Sequence, residues 1–207
     1  MAETIRVIGI GPGTMEYLPP VARAAVEGAD ILVGGPRALA MFSQLGKEEY
    51  LIGKNLKEAA DFIRDRKDSH KVAVLVSGDP GFHSLLAYLK RTFPGEQFEV
   101  IPGLSSVQLA FARIGEFWHD AALISLHGRE LSALQLYTSF AKIAVLTDPE
   151  HSPAAIARFW LSHGLPDCRA YVCANLGYED EKVLSLSVSQ MAETAGVDNS
   201  VVVMINE

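Results

Sequence analysis

The residues best suited to chemistry in this chain are few, and they follow apolar runs. Asp79 stands in Ser77-Gly78-Asp79-Pro80-Gly81, directly after Val72-Ala73-Val74-Leu75-Val76. A β-branched run of that kind forms a strand buried on both faces. Open α/β sheets hold ligands in the loops at the carboxyl ends of such strands. Gly78 and Gly81 permit backbone conformations closed to other residues, and Pro80 fixes φ and removes a donor. Two readings of Asp79 stay open on this stretch alone. It is an acceptor that meets a bound molecule, or it caps the helix predicted over Ser84 to Lys90. A second corner of the same type, Ile101-Pro102-Gly103-Leu104-Ser105-Ser106, follows the strand-like run Phe98 to Ile101. Ser105 and Ser106 either cap the next helix or turn their hydroxyls and amides toward the same ligand as Asp79.

Other chemistry is argued against by spacing. The run Ile5 to Ile10 leads into Gly9-Ile10-Gly11-Pro12-Gly13-Thr14, a strand entering a glycine loop as in dinucleotide sites. The fingerprint fails, because the third glycine position holds Thr14 and Pro12 stiffens the loop. The next helix is predicted only from Pro19-Pro20, too late to aim its amino terminus at a pyrophosphate. The 6 histidines are scattered, and Cys168 and Cys173 have no neighbour at ligand spacing, so no metal site is expected. Five residues apart in a strand-like run, the two cysteines point to opposite faces, which argues against a disulfide.

The elements that must position these residues alternate. Helices are predicted over Leu18 to Glu27, after Pro36, and over Leu56 to Asp68, with strands at Asp30 to Gly34 and Tyr50 to Ile52. The alternation predicts a mostly parallel sheet covered on both faces. Gly115, Phe117 and Trp118 interrupt the rhythm, so a first domain is drawn over 1–114 and a second over 121–207. The second opens with a strand from Ala121 to Leu126 that runs into His127-Gly128-Arg129. Then come a helix over Leu131 to Ser139 and the strand Lys142 to Leu146, which ends at Thr147-Asp148-Pro149. A helix over Pro153 to His163, capped by Ser152, follows. Strands at Arg169 to Ala174 and Lys182 to Leu186, a helix over Val188 to Ala195 and a strand over Ser200 to Ile205 complete a mixed sheet.

With 49% hydrophobic and 21% charged residues, the 207-residue chain is ordered and well cored. Its net charge of −7 argues against an extended nucleic-acid face, though a few local arginines can still hold an acidic small molecule. No leader segment and no apolar run of about 18 residues is present, so a cytoplasmic protein without membrane contact is expected.

Four strand-end motifs stand in order: Gly9-Ile10-Gly11-Pro12-Gly13, Ser77-Gly78-Asp79-Pro80, Ile101-Pro102-Gly103-Leu104-Ser105-Ser106 and Ala174-Asn175-Leu176-Gly177. The set resembles the tetrapyrrole methylase superfamily across essentially the whole chain. Ser125-Leu126-His127-Gly128-Arg129 and Leu146-Thr147-Asp148 look most like the subgroup that methylates C5 of a corrin precursor in cobalamin synthesis. The resemblance implies a two-domain α/β fold with a mostly parallel first sheet and a mixed second sheet. It implies S-adenosylmethionine as cofactor, a corrin-precursor tetrapyrrole as acceptor, a homodimer and a separate C15-methylating decarboxylase subunit as a partner. It places Ser77, Gly78, Asp79 and Phe82 beside the methionine part of the cofactor, with Ser105 and Ser106 on the same ligand. Thr147, Asn175 and Leu176 would hold the adenosine side, with Asn199 on the last strand. Gly11, Pro12 and Gly13 would line the acceptor trough. The chain departs from the pattern at Thr14, where related enzymes often carry Asp, and at Ala174, where they often carry Glu.

A sulfonium methyl is already activated, so in-line displacement chiefly needs alignment and exclusion of water. That fits a chain with no strong acid–base constellation, and no residue is identified as the base. Corrin precursors carry many carboxylates, for which Arg37, Arg113 and Arg129 are candidates, Arg129 with His127 first. Three other readings stay open: a non-catalytic tetrapyrrole carrier, a nucleotide-dependent oxidoreductase, and a methyltransferase of the same superfamily with another tetrapyrrole, protein or RNA acceptor.

Overall fold

The computed structural model describes residues 4–195, 197 and 199–206. Five short runs build the first sheet: β1 (Ile5–Gly9), β2 (Ile31–Gly34), β3 (Glu48–Leu51), β4 (Val72–Val76) and β5 (Phe98–Ile101). They lie in the order β3-β2-β4-β1-β5, and every pairing is parallel. The chain leaves β1 toward β2 on one side and β4 toward β5 on the other. Right-handed crossovers therefore put the connecting helices on opposite faces. Indeed α1 (Pro20–Glu27) and α2 (Pro36–Ala40) pack with Ile8, Leu32 and Leu75. On the other face, α3 (Leu56–Arg66) and α4 (Leu86–Thr92) pack with Val7, Val33 and Val74. Covered on both sides, β4 is buried at all five positions, as its unbroken apolar run requires.

The chain divides into two compact units, one ending at Ser105 and the other beginning at Ser106. That division precedes the one drawn from the sequence after residue 114. The reason is α5 (Ser106–Ile114), which buries Val107, Leu109, Ala110 and Phe111 and packs against a strand of the second sheet. Turn residues after a helix mark where the rhythm breaks, not which core the helix joins.

The second sheet contains β6 (Ala122–Ser125), β7 (Lys142–Leu146), β8 (Arg169–Ala174), β9 (Lys182–Ser187) and β10 (Ser200–Ile205), ordered β6-β7-β10-β8-β9. Only β6 with β7 is parallel; β10 runs antiparallel to β7 and β8, and β9 antiparallel to β8. The sheet is mixed. On one face α6 (Pro153–Ser162) and α7 (Val188–Ala192) supply Ile156, Trp160 and Met191 to a core shared with Val172 and Val202. Ser152 caps α6 by accepting from the Ala155 amide, with Pro153 in the first helical turn. The segment expected as a helix over Leu131 to Ser139 is a 3-10 helix over Leu131–Tyr137. Leu131, Leu134 and Tyr137 all meet the core, and a repeat of three is the 3-10 period. Cys168 and Cys173 are free thiols; Cys173 is fully buried, and burial pushes its thiol up to about 12. No helix among the described residues is long and apolar enough to cross a membrane.

Candidate active site

Three strand ends meet in the first unit through glycines that stand almost in contact. A Cβ on Gly9 would lie 2.6 Å from both the Gly103 nitrogen and the Gly78 oxygen, and one on Gly103 only 2.3 Å from that oxygen. No side chain fits there, so the backbones after β1, β4 and β5 form one packed corner. Gly78, at φ +68°, takes the left-handed conformation that glycine tolerates. Gly11 and Gly78 exchange two backbone hydrogen bonds, Gly78 N–H to Gly11 O at 2.7 Å and the reverse at 3.3 Å. The glycine loop and the Asp79 loop are thereby stitched together.

Asp79 closes the same corner. Its Oδ1 accepts from the Gly81 amide at 2.7 Å and its Oδ2 from the Gly103 amide at 3.2 Å. The helix-cap alternative is wrong: α4 begins only at Leu86, after Leu85, with no side-chain cap. Asp79 instead folds its own turn and fastens it to the loop after β5. Ser105 is buried, its Cα 3.6 Å from where a Cβ on Gly78 would lie. Ser77 is exposed and Phe82 half-buried, the Phe82 amide donating to the Asp79 carbonyl at 3.2 Å. Pro12 and Gly13 are half-buried in the adjoining loop, Gly13 at φ +108°. Ser106 opens α5. A cavity of about 580 Å³ lies at the carboxyl ends of β2 and β4, where Arg37 and Ser77 are among its lining residues.

In the second unit the expected residues also gather at one end of the sheet. The Thr147 hydroxyl donates to the Ser200 carbonyl at 2.8 Å and accepts from the Ser200 amide at 3.1 Å. Its proton is spent on pinning β7 to β10, and the Thr147 amide donates to the same Ser200 carbonyl at 3.2 Å. Asn175 and Asn199 both sit in the left-handed region, at φ 49° and 50°, and the Asn175 amide donates to the Asn199 carbonyl at 3.3 Å. Asn199 directly precedes β10, whereas the resemblance placed it on that strand. Leu176 is buried. The Leu126 amide donates to Leu146 at 3.1 Å, so His127, Gly128 and Arg129 leave the sheet at that same end, all three exposed.

Arg113 is corrected. Its guanidinium grips Glu181 with two nitrogens, Nε to Oε1 and Nη2 to Oε2, the latter at 3.2 Å. Glu181 also accepts from the Gly177 amide at 2.7 Å, fixing the turn after Leu176. The Arg113 hydrogen bond, against an opposing effect of burial, holds the Glu181 carboxyl below its usual range. The sequence reading missed Glu181, and also Asp148 with His151. Asp148 Oδ1 accepts from the His151 amide at 2.7 Å and from its Nδ1 at 2.9 Å. Burial would raise the Asp148 carboxyl, but these bonds and one from the Glu150 amide outweigh it and hold it low. The one sequence signal was the return of polar residues a few positions after each motif. Among the described residues, no group of three or more His, Cys, Asp or Glu could hold a metal ion.

Both sheet ends offer backbone amides, hydroxyls and carboxylates held by tight turns. The family model described as Tetrapyrrole (Corrin/Porphyrin) Methylases matches residues 4–192. The chain belongs to this family. Among methylases of the family, a cobalt-precorrin-7 C(5)-methyltransferase of Salmonella typhimurium is 35% identical over 203 residues, covering 98% of this chain and 99% of the relative. A precorrin-6Y C(5,15)-methyltransferase [decarboxylating] of Sinorhizobium sp is 29% identical, covering 86% of this chain but 44% of that longer protein. A uroporphyrin-III C-methyl transferase from Thermus thermophilus, solved with S-adenosyl homocysteine, superposes with a TM-score of 0.82 at 18% identity. That match covers 97% of this chain and 96% of the other, and it shows a shared fold.

Proposed function

We propose that the protein transfers the methyl group of S-adenosylmethionine to C5 of a corrin precursor, cobalt-precorrin-7 or precorrin-6Y, in cobalamin biosynthesis. The observation that carries this reading is 35% identity to a cobalt-precorrin-7 C(5)-methyltransferase across nearly the full length of both chains. When bound, the cofactor supplies a methyl group already activated on sulfonium, so the protein has to orient it and exclude water.

The residues fit such a ligand. Asp79 uses two bonds on Gly81 and Gly103, and a carboxylate offers about four acceptor sites, so it retains capacity for an ammonium group. Ser77, Gly78 and Phe82, with Ser105 and Ser106, hold the methionine part beside it. Thr147, Asn175, Leu176 and Asn199 hold the adenosine part, Leu176 through the backbone because its side chain is buried. Gly11, Pro12 and Gly13 line the acceptor trough, and Arg37, His127 and Arg129 meet its carboxylates. The protein works as a homodimer in the cytoplasm, beside a separate subunit for the decarboxylating C15 methylation that the longer relative's name adds.

The test is methyl-labelled S-adenosylmethionine with purified protein and each corrin precursor. The expected product has gained one methyl group at C5. No transfer to either precursor, with transfer to another tetrapyrrole, a protein or an RNA, would replace this reading.

A further inference from the structure

The turn over 175–181, which follows β8, is folded by its own carboxylates. Asp180 Oδ2 accepts from Asn175 Nδ2 at 2.6 Å, and Glu181 Oε2 accepts from the Gly177 amide at 2.7 Å. The Tyr178 amide donates to the Asn175 carbonyl at 3.0 Å and the Glu181 amide to the Tyr178 carbonyl at 3.1 Å. Asn175 and Gly177 both take positive φ, 49° and 83°. Such conformations persist where the surrounding bonds fix them.

Arg113 ties this turn to a rigid element. It lies in the last turn of α5, the helix that buries Val107, Leu109, Ala110 and Phe111 and packs against β10. Its guanidinium meets the Glu181 carboxylate through two nitrogens on two oxygens, which fixes direction as well as distance. Ser106 opens the same helix, roughly 10 Å from Arg113 along its axis at about 1.5 Å per residue.

We infer that Glu181 and Arg113 are positioning residues for the cofactor, which preset the turn at 175–177 for the adenosine part at a fixed distance from the Ser106 end of α5. The inference rests on the methylase reading above, in which Leu176 meets the adenosine through its backbone. Main-chain groups have no rotamers with which to adjust, so whatever fixes this turn fixes the contact. If the turn samples several conformations, affinity falls in proportion to the fraction that remains competent. An ion pair that served stability alone would change the melting point and leave the affinity of the folded protein as it is.

The experiment is calorimetric titration of the full chain, well below the melting point of each variant. The ligands are S-adenosylhomocysteine and 5′-methylthioadenosine, which keeps the adenosine part and lacks the amino-acid end. Glu181→Ala removes the bonds to Gly177 and Arg113 together and should weaken both ligands about tenfold, as when the competent turn falls to about a tenth of the population. Arg113→Gln and Glu181→Gln keep an acceptor for the Gly177 amide and lose only the charge pair, so each should fall between the parent and Glu181→Ala. The double variant Arg113→Gln/Glu181→Gln should bind no more weakly than the weaker single variant, because all three break the same pair. Lower melting points with Glu181→Ala affinity within about threefold of the parent would make the pair structural and overturn the inference. Losses that add in the double variant overturn it equally. Should Glu181→Ala fail to fold, the two glutamine variants decide, and unchanged affinity in both overturns it. A parent that binds neither ligand overturns the methylase reading and this inference with it, whereas a parent that binds both and is matched by its variants overturns this inference alone.

Discussion

Replacing Asp79 by Ala removes two acceptors, one that folds the loop after β4 and one that joins it to the loop after β5. The Gly81 and Gly103 amides lose their partner at 2.7 and 3.2 Å. Hydrogen bonds to a charged group contribute about 1.5–3 kcal/mol each. The Gly103 bond is long and the carboxylate only half-buried, so the sum falls to about 2–4 kcal/mol. For a chain of this length that lowers the melting temperature by roughly 5–15 °C. If the carboxylate also receives the cofactor's ammonium, S-adenosylhomocysteine affinity should drop a further ten- to hundredfold, about 1.5–3 kcal/mol. Asp79→Asn separates the two effects. It keeps one carbonyl acceptor for the Gly81 turn but turns an NH2 toward either the Gly103 amide or the ligand, where two donors face each other. Thermal melts and calorimetry at a temperature well below the transition measure both quantities on one preparation. A large fall in melting point with affinity held within about threefold, under 1 kcal/mol, would make Asp79 a clamp and remove it from the cofactor site. An unchanged melting point would refute the structural argument itself.

Gly103→Ala should destabilise the first unit by about 3 kcal/mol or more, because its Cβ would stand 2.3 Å from the Gly78 oxygen and 2.7 Å from the Gly9 carbonyl carbon; denaturant midpoints measure it, and a neutral result would mean that the corner can open. Glu181→Gln should cost about 1–2 kcal/mol near neutral pH by weakening the grip of Arg113. Because the folded pKa is depressed, that difference from the parent is full above about pH 4.5 and vanishes as pH falls through the lowered value; a difference that persists in acid would contradict it. Arg129→Lys should raise KM for the corrin precursor and leave S-adenosylhomocysteine affinity nearly intact, and joint loss of both would make Arg129 structural.

Much of this architecture was legible because its signals are periodic. The apolar run at β4 and the alternation of strands with helices gave strand and helix positions to within a few residues. Where the reading slipped, tertiary packing decided. Helix α5 does end at Ile114, yet it packs against β10, a partner about ninety residues further along the chain. Leu131, Leu134 and Tyr137 read as a helix, and only their spacing of three separates the 3-10 form. Arg113 looked like a candidate for a bound carboxylate because its partner, Glu181, is 68 residues away and belongs to no shared pattern.

The glycines carry the deeper lesson. Gly78 was legible as a position of unusual φ, and it is one. Gly9 and Gly103 do a different job, since neither takes positive φ; they are small so that three backbones can touch. Sequence shows a glycine but not which reason keeps it there. The close approach matters for the chemistry proposed here. Backbone amides at the ends of β1, β4 and β5 are held by one another and by Asp79, not by flexible side chains. A ligand held by them would meet groups already fixed, which lowers the ordering cost of binding. For transfer of a methyl group that arrives activated, such fixed alignment is the chief contribution the protein has to make.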